Sequence, residues 1–169
     1  MIVVVRHGQT EANYENIMQG RSNNLLLNDT GRRQCDKLKK ELDNYKFDIC
    51  YSSPLIRCVE TGMILIGDKC ELVTDSRIIE RELGNFEGKN RELYNHNKYW
   101  DYKLNSLDDG VEGVISLTDR CREFLNYIDN EKNILIVTHA ACFRAINNIL
   151  DNFNSSDIEI DNCFYKVFE

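Results

Sequence analysis

The chain has 169 residues, a formal net charge of −7 and a sequence pI near 5.1. This length lies within the usual range of one domain and can bury a sizeable core, so we expect a single domain over residues 1–169. The acidic balance, without a basic stripe or cluster, disfavours nucleic acid as a partner. The longest apolar runs are too short to span a membrane.

The first predicted element is a buried strand over residues 2–5, which ends directly in Arg6, His7 and Gly8. Open α/β sheets place their ligand chemistry in the loops that follow the strands. Arginine suits bidentate contacts to phosphate oxygens, and a neutral imidazole is a nucleophile at physiological pH. The segment therefore indicates a phosphate site, although a basic loop after a strand explains the three residues alone equally well.

A short strand is predicted over residues 47–51, followed by a helix over residues 54–67. Ser53 suits the N-cap of this helix, and Pro54 suits its first position. Arg57 then lies in the first turn, where unpaired backbone amides and the positive end of the dipole favour an anion. The alternative for Arg57 is an ordinary solvated arginine.

Three carboxylates, Glu80, Glu82 and Glu87, stand among glycines after a possible strand at Leu72 and Val73. A solvated turn would explain them. A phosphoryl-transfer site built around histidine also needs a proton source for the leaving oxygen, and a glutamate is the natural candidate. Chemistry alone does not choose among the three.

Residues 89–113 are rich in aromatic side chains near asparagines and lysines. These aromatics either contact an organic leaving group or form a surface helix that packs Leu93, Trp100 and Leu104 against the core. We favour the helix, and we expect His96 at the surface.

A second buried strand is predicted over residues 133–138, and like the first it ends in a histidine, His139. A partly buried, hydrogen-bonded histidine is the alternative for this residue. Helical patterns cover residues 30–45, residues 115–129 and the stretch after His139. Residues 158–168 alternate as in a strand, with Asp161 and Asn162 as a possible turn. The alternation predicts an α/β three-layer sandwich, with a mostly parallel central sheet and helices on both faces.

The seven cysteines contain no Cys-x-x-Cys pair, and no Gly-x-x-x-x-Gly-Lys-Ser/Thr loop is present. We therefore expect no metal, no cofactor and no ATP-dependent reaction. The odd cysteine count, the apolar surroundings of many of these residues and the lack of a leader before the first strand predict reduced thiols in a cytoplasmic protein. The oligomeric state is left open.

Six blocks along the chain together resemble the histidine phosphatase superfamily, also called the phosphoglycerate mutase-like family. They occur in the order of the family and reach from residue 2 to about residue 146. The blocks are Arg-His-Gly-Gln-Thr-Glu-Ala-Asn at residues 6–13, Gln-Gly-Arg at 19–21, Leu27 with Gly31 and Gln34, Ser-Ser-Pro at 52–54 with Arg57, Glu60 and Thr61, Glu80 with residues 83–84 and 87–88, and Thr138-His139 with Arg144.

The resemblance implies a role for each matching residue. His7 is implied as the nucleophile that becomes a phosphohistidine, and Glu80 as the proton donor, because it stands four residues before Gly84. The implied phosphate-binding groups are the side chains of Arg6, Asn13, Arg57 and His139 and the backbone amide of Ala140. The family usually has glycine where Ala140 stands, and alanine is harmless there if that amide begins an ordinary helix.

The family implies a metal-independent enzyme acting on small phosphorylated substrates. The interval between the acidic loop and His139 is short, which leaves little material for a lid that excludes water and so favours a phosphomonoesterase over a phosphoglycerate mutase. Compact relatives resemble α-ribazole-phosphate phosphatases, which gives a first guess at the substrate. A non-catalytic phosphate-binding module is the third alternative.

Overall fold

The computed structural model describes residues 1–153 and 158–169. Its centre is a five-stranded sheet in the order β3-β2-β4-β1-β5. The inner pairs are parallel, and only β5 runs antiparallel, beside β1. The strands are β1 (Ile2–Arg6), β2 (Ile49–Ser52), β3 (Glu71–Thr74), β4 (Ile134–Thr138) and β5 (Tyr165–Phe168).

Within the described ranges six α-helices accompany the sheet, and four short 3₁₀ helices lie between Ser76 and Gly110. The α-helices are α1 (Glu11–Tyr14), α2 (Asp29–Glu41), α3 (Ile56–Ile66), α4 (His96–Trp100), α5 (Val114–Tyr127) and α6 (Ala140–Leu150). In the described part of the chain, no helix has both the length and the apolar content needed to cross a bilayer.

The central strands are apolar on both faces because a helical layer covers each face. Alternate residues of β4 separate cleanly: Ile134 and Ile136 pack with residues of α5 and α6, whereas Leu135 and Val137 pack with residues of α2 and α3. This period of two is what a pleated strand dictates. The predicted three-layer α/β fold is thereby confirmed.

The start of α3 differs from the sequence prediction. Its N-cap is Leu55, not Ser53, and the helix begins at Ile56. Ser53 directly follows β2 and is still held against β4, because its backbone N–H donates to the carbonyl of Val137 at 2.9 Å. Its hydroxyl contacts a ring nitrogen of His139 at 2.7 Å, so the chain turns into the helix two residues later than expected.

Of the β pattern predicted over residues 158–168, the strand is confirmed only in its last part, whereas the turn predicted at Asp161 and Asn162 is present. Only Tyr165–Phe168 pairs with β1. A turn precedes it, closed by the Phe164 N–H donating to the carbonyl of Asp161 at 3.0 Å, with Cys163 in the left-handed region at φ 58°. Alternating polarity cannot reveal that this turn binds the end of β1 instead of extending the sheet.

The two-sided burial of β4 gives the first testable prediction. Leu135→Ala removes a fully buried side chain and should lower the free energy of unfolding by about 2–5 kcal/mol. Leu107→Ala is the control, since Leu107 is 69% exposed, and it should change the value by less than about 0.5 kcal/mol. Urea unfolding measures both, and equal losses would contradict the assigned core.

Candidate active site

The site begins where β1 and β4 end side by side. Arg6 is in register with Thr138, and the backbone N–H of His7 donates to the carbonyl of Thr138 at 3.0 Å. The two histidines that follow these strands are therefore neighbours. Their ring centroids are 5.1 Å apart, at an interplanar angle of 64°. The predicted convergence of His7 and His139 is what the structure shows.

The ring of His7 is held in one orientation. Its Nδ1 lies 2.8 Å from the carbonyl oxygen of Gly8, which can only accept, so Nδ1 carries the hydrogen and Nε2 keeps its lone pair. Burial, assisted by the charges of Arg57 and Arg6, lowers the pKa of His7 well below its usual 6.5. The result is a neutral imidazole with Nε2 available for attack.

Gly8 is required by packing. A Cβ atom there would lie 2.8 Å from the carbonyl oxygen of Gly31 and 2.9 Å from the sulfur of Cys35, both on α2. The Gly8 N–H donates to the hydroxyl of Thr61 at 3.0 Å. The absence of a side chain at Gly8 therefore lets α2 pack closely against the loop that follows β1.

Two buried arginines flank His7. Arg57 donates through its terminal nitrogens to the carbonyls of Gly20 and Ser22, each at 2.7 Å, and Arg6 donates to the carbonyl of Ile160 at 2.6 Å. Burial lowers the pKa of Arg6 to about 10 and also lowers that of Arg57, so both stay charged near neutral pH. The Nε atoms of both side chains are buried and have no hydrogen-bond partner within the described residues.

His139 is fully buried beside His7 and is not among the residues that line the adjoining cavity. Its Nε2 lies 2.7 Å from the Ser53 hydroxyl and 3.3 Å from the sulfur of Cys58. Burial, followed by the charges of Arg57 and the neighbouring His7, lowers the pKa of His139 well below 6.5. The ring is therefore neutral, and the phosphate-binding role implied for His139 stays a prediction.

Ala140 is the first residue of α6, and His139 is the N-cap. Ala140 is not among the residues with positive φ, and it lines the cavity. The amide at this position therefore begins an ordinary helix, the case in which alanine replaces glycine without strain.

Asn13 lies on α1 and lines the same cavity. Its Oδ1 accepts from the N–H of Thr10 at 3.1 Å and from the Nδ2 of Asn162 at 3.2 Å. The Thr10 hydroxyl also donates to this oxygen at 3.1 Å, so Nδ2 is the group of the Asn13 side chain that can donate to a ligand. Asn162 is not among the site residues predicted from the sequence, and it enters the site from the turn before β5.

Among the three candidate carboxylates, Glu80 alone lines the cavity. Its Oε1 accepts from the N–H of Arg81 at 2.8 Å. Burial raises the pKa of Glu80 above its usual 4.5, against the opposing effects of that hydrogen bond and of the charges on Arg57 and Arg6. Glu82 and Glu87 bind Arg21 instead, through a 3.4 Å ion pair and a 3.0 Å bond to its backbone N–H.

The cavity has a volume of about 380 Å³. Beyond the phosphate-site residues its wall includes Tyr94, His96, Trp100, Arg91 and Arg144. The interpretation of His96 as a plain surface residue is therefore wrong: its ring lies 5.7 Å from that of Trp100 on the cavity wall.

The favoured packing of residues 89–113 is confirmed for Trp100, which packs against the core cluster of α5 and α6, but is wrong for the two leucines. Leu93 and Leu104 are 62% and 58% exposed, and Tyr99 is the buried aromatic instead. Helix α4 has only five residues, too few for a regular apolar face, and Tyr94 and Trp100 line the cavity. The alternative, in which these aromatics face a leaving group, fits this arrangement.

Across the described residues, no group of three or more His, Cys, Asp or Glu side chains is placed to hold a metal ion. The expectation of a reaction without metal or cofactor stays a prediction.

Comparison with known proteins agrees with this geometry. The model of the histidine phosphatase superfamily (branch 1) matches residues 2–169, and the chain belongs to that family. The chain is 34% identical over 158 residues to phosphoglycerate mutase-like protein 4 of Arabidopsis thaliana, covering 86% of this chain and 68% of that protein. It is 28% identical to a 2,3-bisphosphoglycerate-dependent phosphoglycerate mutase of Cytophaga hutchinsonii, covering 94% and 80%.

Among solved structures, phosphoserine phosphatase from Entamoeba histolytica is similar in two forms. A mutant in complex with phosphoserine gives a TM-score of 0.84 at 23% identity, covering 97% of this chain and 87% of that one. The form in complex with 3-phosphoglyceric acid gives 0.78 at 25% identity, with the same coverage. The chain is therefore an enzyme of this superfamily, with the fold of a histidine phosphatase.

The buried histidines give the second prediction. Because the pKa values of His7 and His139 are lowered, both rings should remain neutral at pH 6.5, where half of an exposed histidine is protonated. Histidine ¹⁵N NMR, assigned with His7→Gln and His139→Gln variants, measures the midpoints. A midpoint at or above 6.5 for either ring would contradict the described electrostatics.

Proposed function

We propose that the protein is a phosphomonoesterase that hydrolyses small phosphorylated metabolites through a phosphohistidine at His7. One observation carries the proposal: a neutral, oriented imidazole lines the same cavity as two buried guanidinium groups, each with an Nε that has no hydrogen-bond partner among the described residues. Unsatisfied buried donors are costly in a folded protein, and a phosphoryl group is the acceptor that suits them.

In the first step Nε2 of His7 attacks phosphorus, and the bond from phosphorus to the leaving oxygen breaks. Glu80, whose raised pKa favours a protonated carboxyl, gives its proton to that oxygen. Arg6, Arg57, the Nδ2 of Asn13 and the amide of Ala140 stabilise charge on the remaining phosphoryl oxygens. Positioning and electrostatic stabilisation dominate phosphoryl transfer, so these groups suffice in principle.

In the second step water attacks the phosphorus of the phosphohistidine. Glu80, now a carboxylate, takes one proton from the water while the bond from phosphorus to nitrogen breaks. Phosphate leaves, and His7 and Glu80 return to their starting protonation states. Every bond made and broken is accounted for by these two residues, the substrate and water.

The cavity wall supports anionic metabolites as the substrate class. Arg81, Arg91 and Arg144 line the cavity beyond the phosphate-binding residues, beside Trp100. The guanidiniums of Arg81 and Arg144 each lie 5.4 Å from the ring of Trp100. The Entamoeba histolytica enzyme was solved in complex with phosphoserine and with 3-phosphoglyceric acid, which supports small substrates that carry a carboxylate. α-Ribazole phosphate remains a substrate prediction without further support.

A phosphoglycerate mutase is the second candidate, because relatives at 34% and 28% identity bear mutase names. The segment between Glu80 and β4 argues for hydrolysis. From Gly84 to Gly110 it forms three 3₁₀ helices of three residues each and the five-residue α4, before α5 begins. Such short elements provide little cover against water.

Substrate assays separate the two candidates. Release of inorganic phosphate from phosphoserine, phosphoglycerates, α-ribazole phosphate and nitrophenyl phosphate, without added metal, marks a phosphatase. Interconversion of phosphoglycerates in the presence of a bisphosphate primer, without net phosphate release, marks a mutase and would overturn the proposal.

The third prediction concerns the nucleophile. His7→Ala removes the only group assigned to attack phosphorus and should abolish phosphate release while leaving the fold intact, as checked by circular dichroism and thermal melting. Hydrolysis at the wild-type rate by this variant would remove His7 from the mechanism.

The fourth prediction concerns the proton donor. Glu80→Gln should lower kcat/KM for alkyl phosphates by about 10²–10⁴-fold, and much less for nitrophenyl phosphate, whose leaving group needs no proton. Glu92→Gln, an exposed carboxyl of the next segment, is the control and should leave both values unchanged. Equal losses on alkyl and aryl substrates would show that Glu80 does not protonate the leaving oxygen.

A further inference from the structure

A buried arginine outside the cavity holds the backbone that carries Glu80. One terminal nitrogen of Arg120, on α5, donates to the carbonyls of Arg77 and Ile79 at 2.6 and 2.8 Å. The other donates to the carbonyl of Glu80 itself at 3.3 Å. A single guanidinium thus fixes three carbonyls of residues 77–80, which we call the acid loop.

A second arginine, Arg21 in the segment after α1, binds the same carbonyl. The Nε of Arg21 donates to the carbonyl of Glu80 at 3.0 Å. The carboxylate of Glu112 joins the two arginines, with contacts of 2.8 and 2.9 Å to Arg120 and 3.3 Å to Arg21. We call Arg21, Glu112 and Arg120 the acid-loop clamp.

The clamp is buried enough for its geometry to matter. The side chains of Glu112 and Arg120 are only 11% and 15% exposed, and that of Arg21 is 35% exposed. Buried charged groups are costly unless fully paired, so removing one partner changes the arrangement of the others. An exposed ion pair would constrain the loop far less.

The clamp also connects the proton donor to the phosphate-binding residues. Arg57 binds the carbonyls of Gly20 and Ser22, the residues on either side of Arg21. Arg57 therefore holds the backbone on both sides of Arg21, and the guanidinium of Arg21 in turn binds the backbone carbonyl of Glu80. Because of this arrangement, the distance between the phosphoryl site and the proton donor is set by short, charge-assisted contacts.

We propose that Arg21, Glu112 and Arg120 are positioning residues that hold Glu80 at the distance and angle needed to protonate the leaving oxygen. None of the three lines the cavity, so they act through Glu80 and not on the substrate. The backbone carbonyl of Glu80 is held by the clamp, and its carboxylate is held by the N–H of Arg81. Proton transfer is sensitive to such placement, since it requires hydrogen-bond reach. This inference rests on the proposed role of Glu80.

The test compares substrates that differ in their need for a proton donor. In Arg120→Lys and Arg21→Met, kcat/KM for an alkyl phosphate should fall by about tenfold or more, because misplacement of about 1 Å can cost 10²-fold. For nitrophenyl phosphate the fall should stay within about threefold, because its leaving oxygen departs without a proton. Arg122→Met is the matched control on α5, an exposed arginine whose ion pair is with Asp119.

A double-mutant cycle with Glu80→Gln separates positioning from general damage. If the clamp acts through Glu80, adding Arg120→Lys or Arg21→Met to Glu80→Gln should cost no more than about twofold further on the alkyl phosphate. The proposal would be overturned if a clamp substitution lowered kcat/KM as much in the Glu80→Gln variant as it does in the wild-type enzyme. It would also be overturned if the single clamp variants lost kcat/KM equally on alkyl and aryl phosphates, or lost none.

The outcomes for Glu80 and for the clamp remain distinguishable. If Glu80→Gln itself shows no dependence on the leaving group, the proposed role of Glu80 fails. If Glu80→Gln shows that dependence and the clamp variants do not, only the present inference fails. Thermal melting checks that each variant is folded; should Arg120→Lys not fold, Arg21→Met decides by the same criteria, since its side chain is the more exposed.

The pH profile provides a second readout. The charge of Arg120 is one of several that lower the pKa of Glu80 against the larger effect of burial. A proton donor must be protonated, so activity is lost as pH rises through its pKa. Arg120→Met removes a positive charge, raises that pKa and should move the alkaline limb of kcat/KM to higher pH. A limb that does not move, or moves to lower pH, would contradict the clamp's electrostatic contact with Glu80.

Discussion

The parallel pairing of β1 with β4 is the constraint on which the site depends. It places the ends of two buried strands next to each other, so that the residues following them, His7 and His139, cannot be far apart. Both strands are covered on two faces and are therefore rigid. The loops that follow inherit this precision, which is why chemistry in open α/β sheets gathers at the carboxyl edge.

Desolvation shifts the pKa values of the residues around this edge in different directions. Burial lowers the pKa of His7, which keeps the proposed nucleophile neutral, and raises the pKa of Glu80, which favours the protonated form of the proposed proton donor. Arg6 and Arg57 remain charged in the same environment and repel a proton on His7. One low-dielectric site thus supports a nucleophile, an acid and an anion-binding surface.

The sequence could predict the site residues that directly follow the buried strands. Residues that directly follow a buried strand, such as His7 and His139, are placed by periodicity alone. Ser53 was misplaced as a helix cap because its hydroxyl contacts His139, a tertiary contact that local capping rules cannot see. Asn162 was missed because its role needs the turn before β5 to fold back onto α1.

Arg21 and Arg120 show the same limit more sharply. They stand 99 positions apart in the printed sequence, and each resembles an ordinary charged surface residue in its local context. The positioning role proposed for them can be inferred only from the fold, in which α5 and the segment after α1 both reach the carbonyl of Glu80. Local sequence therefore identifies reacting groups more readily than the groups that hold them in place.

The most direct test of the central claim is to trap the covalent intermediate. Acid-free quenching during turnover, followed by intact-mass analysis and ³¹P NMR, should detect one phosphoryl group per chain, with peptide mapping placing it on the imidazole of His7. The phosphohistidine at His7 should form and decay at rates compatible with turnover. Turnover without any phosphohistidine, or with the phosphoryl group on a different residue, would contradict it.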